Sequence, residues 1–180
     1  MTRVLVTYAS KHHSTAEIAE AISKILRQFD ELQVDIKAVE IAESITPYDV
    51  IVLGSAVYAG QWQSVAADFL KQHEQELMQK FVWVFSSGPT GEGDPKTLIK
   101  GWEFPEGLRP VIERIKPQDT MVFHGKLDPA SLNVFERLVV KGVHAPTGDF
   151  RDWKMIHDWA LAIAHALVPG QEEPLSLRQE

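Results

Sequence analysis

The segment Ser10-Lys11-His12-His13-Ser14-Thr15 gathers hydroxyls, a lysine and two adjacent imidazoles into one short loop. Hydroxyl donors and cations at this density suit a phosphate, the paired histidines raise a metal site, and an ordinary turn is the plainest alternative. A metal needs convergent ligands, whereas neighbouring residues of one loop seldom aim at one ion, and no second His/Asp/Glu cluster stands at ligand spacing. Phosphate and turn therefore stay open, and the metal is set aside. Ser14 and Glu17 spell S-x-x-E, a capping box that predicts a helix start beside Thr15, with backbone N–H groups and the positive end of the helix dipole turned toward the loop.

Two further segments could serve the same ligand. Tyr58 and Trp62 bracket Gly60: aromatic rings at a strand end suit stacking on a planar group, and glycine lets the peptide approach or reorient. The alternative is that both rings cover the end of the core. The third segment, "SSGPTGEGD" (86–94), could close over the ligand with backbone groups of Ser87, Gly88 and Thr90.

These loops must be held by the elements between them. "RVLVTY" (3–8) predicts a strand, followed by a helix with Ile18, Ile22, Ile25, Leu26 and Phe29 on one face. "VDIKAV" (34–39) alternates as an edge or half-covered strand does, and "VIVLGSAVY" (50–58) is nearly all apolar, as a central strand covered on both faces would be. A helix with Val65, Phe69 and Leu70 inward, a buried strand "FVWVFSSG" (81–88) and a fifth strand "TMVFHGKL" (120–127) follow. The last helix spans 153–167, with Trp153, Ile156, Trp159, Ala160, Ile163 and Leu167 inward, stopped by Pro169 and Gly170. Five strands alternating with helices predict a doubly wound parallel α/β sheet with ligands beyond the carboxyl ends of its strands. The loops after the first, third and fourth strands are the segments described above.

Composition narrows the chemistry. With 180 residues, 44% of them hydrophobic, the chain can build one full core, expected over 1–170 with a polar tail at 171–180. A formal charge of −7 disfavours nucleic acid as a partner. The absence of cysteine removes disulfides, a thiol nucleophile and cysteine-held iron–sulfur clusters, so redox chemistry would need an organic cofactor. No signal-like or transmembrane stretch is present, and the expected location is the cytoplasm, with peripheral membrane contact left open. There is no G-x-S-x-G elbow, no P-loop and no G-x-G-x-x-G after the first strand. A phospho-accepting receiver of this topology would need acidic residues where Tyr8-Ala9-Ser10 and Gly54-Ser55 stand, which leaves Lys126 without partners for that chemistry.

"VTYASKHHSTAEIAEAI", "DVIVLGSAVYAGQWQSVAADFLKQH" and "GDFRDWKMIHDWALAIA" resemble the flavodoxin-domain family, including its menaquinone-dependent protoporphyrinogen oxidases. The resemblance covers about residues 3–167. It implies a five-stranded sheet of order 2-1-3-4-5 and FMN as cofactor. The phosphate falls to Ser10, Lys11, His12, His13, Ser14 and Thr15. The ring falls to Ala56, Val57, Tyr58, Ala59, Gly60 and Trp62, and to Ser87, Gly88, Thr90 and Gly91. Against the family's S/T-x-T-G-x-T loop, Ser10 and Thr15 match, His12 replaces the central threonine and His13 takes the glycine position, where a left-handed backbone costs roughly 1 kcal/mol. No residue stands out as a general acid or base. The expected function is FMN-dependent redox chemistry, with a redox partner protein or a quinone or porphyrin-type substrate. Protoporphyrinogen oxidase activity, and a binding domain that has lost FMN, are the alternatives. An acidic surface would disfavour an anionic reduced cofactor and lower its potential. Segment 128–150 carries an apolar stripe of Leu132, Phe135, Leu138 and Val139, expected to pack on the core or on a second copy in a homodimer.

Overall fold

The computed structural model describes residues 1–142 and 146–170. Strands β1 (Thr2–Ala9), β2 (Leu32–Ala38), β3 (Val50–Tyr58), β5 (Phe81–Ser87) and β6 (Asp119–Phe123) form a parallel sheet in the order β2-β1-β3-β5-β6, and the short β4 (Gln61–Trp62) folds back antiparallel on the end of β3. Counting long strands alone, this is the expected order 2-1-3-4-5. The alternating strand β2 lies at an edge and the apolar strand β3 at the centre, because only the central strand must be covered on both faces.

Alternation along the strands splits the core into two layers. Val4, Val6, Val50, Val52, Trp83, Phe85 and Phe123 face α1 (Ser14–Leu26) and α7 (Trp153–Leu167). Leu5, Ala9, Ile51, Leu53, Val82 and Val84 face α2 (Ser64–Gln72), α3 (Glu74–Leu77) and α5 (Arg109–Ile115). The periodicity reading of α1 and α7 holds over most positions, but Val65 is 38% exposed and Trp153 45% exposed, each standing in the first turn of its helix, where the apolar face has not yet reached the sheet. Ala66 takes the inward place expected of Val65. Phe29 is buried in the turn beyond the end of α1.

The expected fifth strand divides. β6 ends at Phe123, and Lys126–Leu127 becomes β7, paired antiparallel with β8 (Gly148–Asp149) in a separate two-stranded ribbon. Between them lies α6 (Val134–Gly142), in which Leu138 is 65% exposed, so this position of the apolar stripe does not pack on the core; Val134, outside the stripe, is exposed as well. Leu132 is buried; the side chains of Phe135 and Val139, and the tail at 171–180, lie outside the described residues. The helices α3, α4 (Pro95–Leu98) and α5 and the short strand β4 had no counterpart in the sequence expectation; α5 buries Val111, Ile112 and Ile115.

One glycine is dictated by packing. A Cβ on Gly54 of β3 would lie 2.0 Å from Cζ of Phe85, whose ring occupies the space above the strand. Replacing Gly54 with Ala should therefore destabilise the fold by about 1–3 kcal/mol through overpacking. Urea denaturation checks this, and Phe85→Leu in the same chain should recover part of the loss.

Candidate functional site

The register of the sheet brings the three loops to one edge. Ala9 pairs with Ser55 and Ala56 with Ser87, so the chains leaving β1, β3 and β5 start from adjacent positions at the carboxyl end of the sheet. This is where ligands bind in doubly wound folds.

In the first loop, α1 starts one residue earlier than the capping-box expectation. His13 is the N-cap, at φ 62° and ψ −12°, and its side chain makes no capping bond. Ser14 is already helical, so the S-x-x-E frame is out of step, and Glu17 is held elsewhere, by the guanidinium of Arg151. The consequence is chemical: the hydroxyl oxygens of Ser10 and Ser14 are both buried with no hydrogen-bond partner among the described residues. Buried hydroxyls are normally satisfied, so one in the loop after β1 and one at the first position of a thirteen-residue helix fit an anion held at this junction. Thr15 is buried beneath them; Lys11 and His13 are exposed and His12 is half-buried.

The second loop is a tight hairpin. Ala59 and Gly60 both have positive φ, 49° and 73°, as a two-residue turn between β3 and β4 requires. Gln63 N–H donates to the Ser55 hydroxyl at 3.1 Å, which itself donates to the Ala56 carbonyl at 3.0 Å, locking the base of the hairpin. Tyr58 is 38% exposed, with the His12 ring edge-on at 6.1 Å and Lys11 Nζ 6.0 Å from its centroid, so it joins the first two loops. Trp62 departs from its expected ring contact. It is 6% exposed and its Nε1–H donates to the Ser86 hydroxyl at 2.9 Å, so it supports the hairpin from below, because an indole offered both apolar cover and an N–H partner is more stable inside. Ala56 is buried and Val57 half-buried, packed on Gly88.

The third loop is held by close backbone approach. A Cβ on Gly88 would meet Val57 Cβ at 3.0 Å, and one on Gly125 would meet the Gly88 carbonyl oxygen at 3.0 Å. Two residues that the sequence reading did not single out shape this region. His124, buried at the end of β6, places Nδ1 3.2 Å from the Pro89 carbonyl and Nε2 2.7 Å from that of Gly93, so its ring lies across the loop and a ring N–H donates to one of these carbonyls. Ser87 is buried, while Thr90 and Gly91, between Pro89 and Gly93, are half-buried. A histidine leaving a strand at the ligand edge was the available signal.

The other residue is Arg151. Its side chain is 3% exposed and forks onto Asp149 at 2.8 and 2.6 Å; Nη1 also engages Glu17 and lies 3.4 Å from the Ser14 carbonyl, and the guanidinium stacks on Trp153 at 4.5 Å. The Asp149 side chain raises the Arg151 pKa, and the Arg151 hydrogen bonds hold the Asp149 carboxyl below its usual range. No sequence spacing links Arg151 to Glu17 or Ser14, which lie more than a hundred residues earlier in the chain. Among the described residues, no group of three or more metal-ligating side chains forms.

A doubly wound parallel sheet with the loops after β1, β3 and β5 gathered at one edge defines an α/β domain of the class that binds ligands at that edge. Residues 5–154 match the family model described as flavodoxin domain, and the chain belongs to that family. Comparison with curated proteins gives no match. Among solved structures, the chain is similar to a flavodoxin from the domain Archaea (13% identity, TM-score 0.62, 93% of this chain and 99% of that one). It is also similar to oxidised flavodoxin 2 from Bacillus cereus (21%, 0.59, 92% and 99%) and to the Flv1 flavodiiron core from Synechocystis (16%, 0.61, 94% and 37%). The family takes FMN, and the two unpartnered hydroxyls at the first loop fit its phosphate. Among the described residues, no helix is long and apolar enough to cross a membrane.

Two outcomes follow. His13→Gly removes the left-handed strain and should stabilise the cofactor-free chain by about 1 kcal/mol in a thermal melt, leaving FMN affinity equal or stronger; a large loss of affinity would show that the imidazole itself holds phosphate. Because the folded Asp149 carboxyl titrates below its unfolded value near pH ~4, its contribution is present above that pH and lost as pH falls through the lower folded value. Asp149→Asn should therefore flatten the acid limb of stability against pH below about pH 4, measured by urea midpoints.

Proposed function

We propose that this chain is an electron carrier that holds FMN with Ser10, Ser14 and the first turn of α1 on the phosphate, and Tyr58 with the backbone of 56–60 and 87–91 on the ring. The observation that carries the reading is the pair of buried, unpartnered hydroxyls of Ser10 and Ser14 at the start of α1, next to the exposed ring of Tyr58. FMN supplies the redox chemistry when bound; the protein's part is to fix the phosphate, cover the ring and set its electrostatic surroundings. Hydroxyl and backbone donors suit a phosphate because they deliver hydrogen bonds without needing a counter-charge at each contact.

Asp94 in the third loop serves as a structural cap: its carboxylate accepts from Thr97 N–H at 2.8 Å at the start of α4, and that bond holds the carboxyl below its usual range. The formal charge of −7 favours a basic redox partner, whose encounter rate would fall with ionic strength. Oxidation of protoporphyrinogen with a quinone acceptor draws no support from the family match or from the structural relatives.

Titration of the cofactor-free chain with FMN tests the proposal. The expected result is one FMN per chain, quenched flavin fluorescence and a raised melting temperature. Ser10→Ala/Ser14→Ala should weaken FMN by about tenfold or more while changing riboflavin, which lacks the phosphate, far less. A chain that neither binds FMN nor shifts its melting temperature would be the flavin-free alternative and would overturn the proposal.

A further inference from the structure

We propose that Arg151 is a positioning residue for cofactor binding: it holds the Glu17 carboxylate away from the first turn of α1 and so keeps the phosphate cradle open. The inference rests on the FMN reading of that site. A carboxylate in the first turn of a helix is itself a favoured ligand for the N-terminal N–H groups, the same donors a phosphate needs. Ser14-x-x-Glu17 spells that self-capped arrangement, yet the structure does not adopt it.

What prevents it is visible in the guanidinium's contacts. Nε and Nη2 form a fork on Asp149, so the group cannot rotate, and its remaining Nη1 donates to Glu17 Oε2 and reaches the Ser14 carbonyl. Trp153 covers one face. With its side chain 3% exposed and every edge engaged, Arg151 is a fixed point to which Glu17, itself 46% exposed and otherwise able to turn, is tied. The cluster also sets the local charge. The two carboxylates and the guanidinium carry one net negative charge between them, with Lys126 also acting on Asp149; removing the guanidinium makes the cluster more negative by one. Both the freed carboxylate and the added charge would act against a phosphate dianion and not against an uncharged ligand. Lys11, His12 and His13 on the loop and Tyr58 from β3 are further titratable groups around the cradle, and Lys126 acts on Asp149 through its charge.

The test measures FMN and riboflavin affinity side by side for the wild-type chain, Arg151→Met and Arg151→Met/Glu17→Gln. Arg151→Met should weaken FMN by about fivefold to tenfold and riboflavin by less than about twofold, the size of a charge effect at a helix terminus. The double variant, which restores the net charge and removes the competing carboxylate, should return FMN to within about threefold of wild type. Equal loss of FMN and riboflavin, or no rescue by Glu17→Gln, would show that Arg151 only supports the fold and would overturn the proposal. If Arg151→Met does not fold, Arg151→Gln, which removes the charge but keeps a donor for Asp149, carries the same comparison with and without Glu17→Gln. Unchanged FMN binding in the single variant overturns this inference alone, whereas a wild-type chain that binds no FMN overturns the underlying reading as well.

Discussion

The fold depends on one steric fact, the missing side chain of Gly54 in the central strand. Phe85 fills the space that residue leaves, and from there an aromatic cluster runs to Phe123 (5.7 Å) and to Trp159 of α7 (6.0 Å), with Phe123 and Trp159 5.5 Å apart. Trp159 Nε1–H donates to Asp119 at 2.7 Å, which fixes the helix against the start of β6. These rings bury large apolar areas and pack edge to face, so the position of α7 on the sheet has little freedom. The chain entering α7 passes through Arg151, two residues before the helix starts, and that guanidinium meets the first turn of α1. A glycine in the middle of the sheet thus places a charge at the loop where the cofactor's phosphate is expected.

The architecture was legible because its signals are redundant. Continuous apolarity marked Val50–Tyr58 as the central strand to the residue, alternation marked β2 as an edge, and helical spacing marked α1 and α7. The candidate loops followed from position alone, since a doubly wound sheet presents its ligand edge at the carboxyl ends of strands. What escaped the sequence were facts that depend on partners distant in the chain. Trp62 looks like a stacking ring until Ser86 offers its indole N–H a hydrogen bond inside the core. Ser14 and Glu17 look like a capping box until His13 takes the N-cap in a left-handed conformation and Arg151 takes the glutamate. Val111, Ile112 and Ile115 lie in a helix too short, seven residues, for periodicity to stand out beside a loop rich in glycine and proline.

Charge in this chain is distributed against its average. The whole carries −7, yet Lys11, His12 and His13 stand together on the first loop. Long-range fields from the acidic surface repel an anion, while contacts at hydrogen-bond distance are screened little in a partly buried site. A phosphate here would be held by local donors and one nearby lysine and tolerated by the field rather than drawn in by it. The same field that opposes an anion favours encounters with a basic protein.

Among the described residues, two of the four non-glycine residues with positive φ, His13 and Ala59, lie in these loops. Each costs about 1–2 kcal/mol relative to glycine, and neither cost is repaid locally, since His13 makes no capping bond and Ala59 is exposed. The compensation comes from the elements the loops join. Ile18, Ile22 and Leu26 of α1 are fully buried, and each such side chain stabilises the fold by about 1.5–3 kcal/mol, so the helix keeps its place even when its entry is strained. β3 and β4 likewise close the hairpin through Val57–Trp62 pairing and a buried indole. With both ends of each loop set by the core, the backbone must turn left-handed at those points whatever residue stands there. Histidine at that turn then differs from glycine in what it adds, an imidazole beside the cradle, more than in whether the cradle forms.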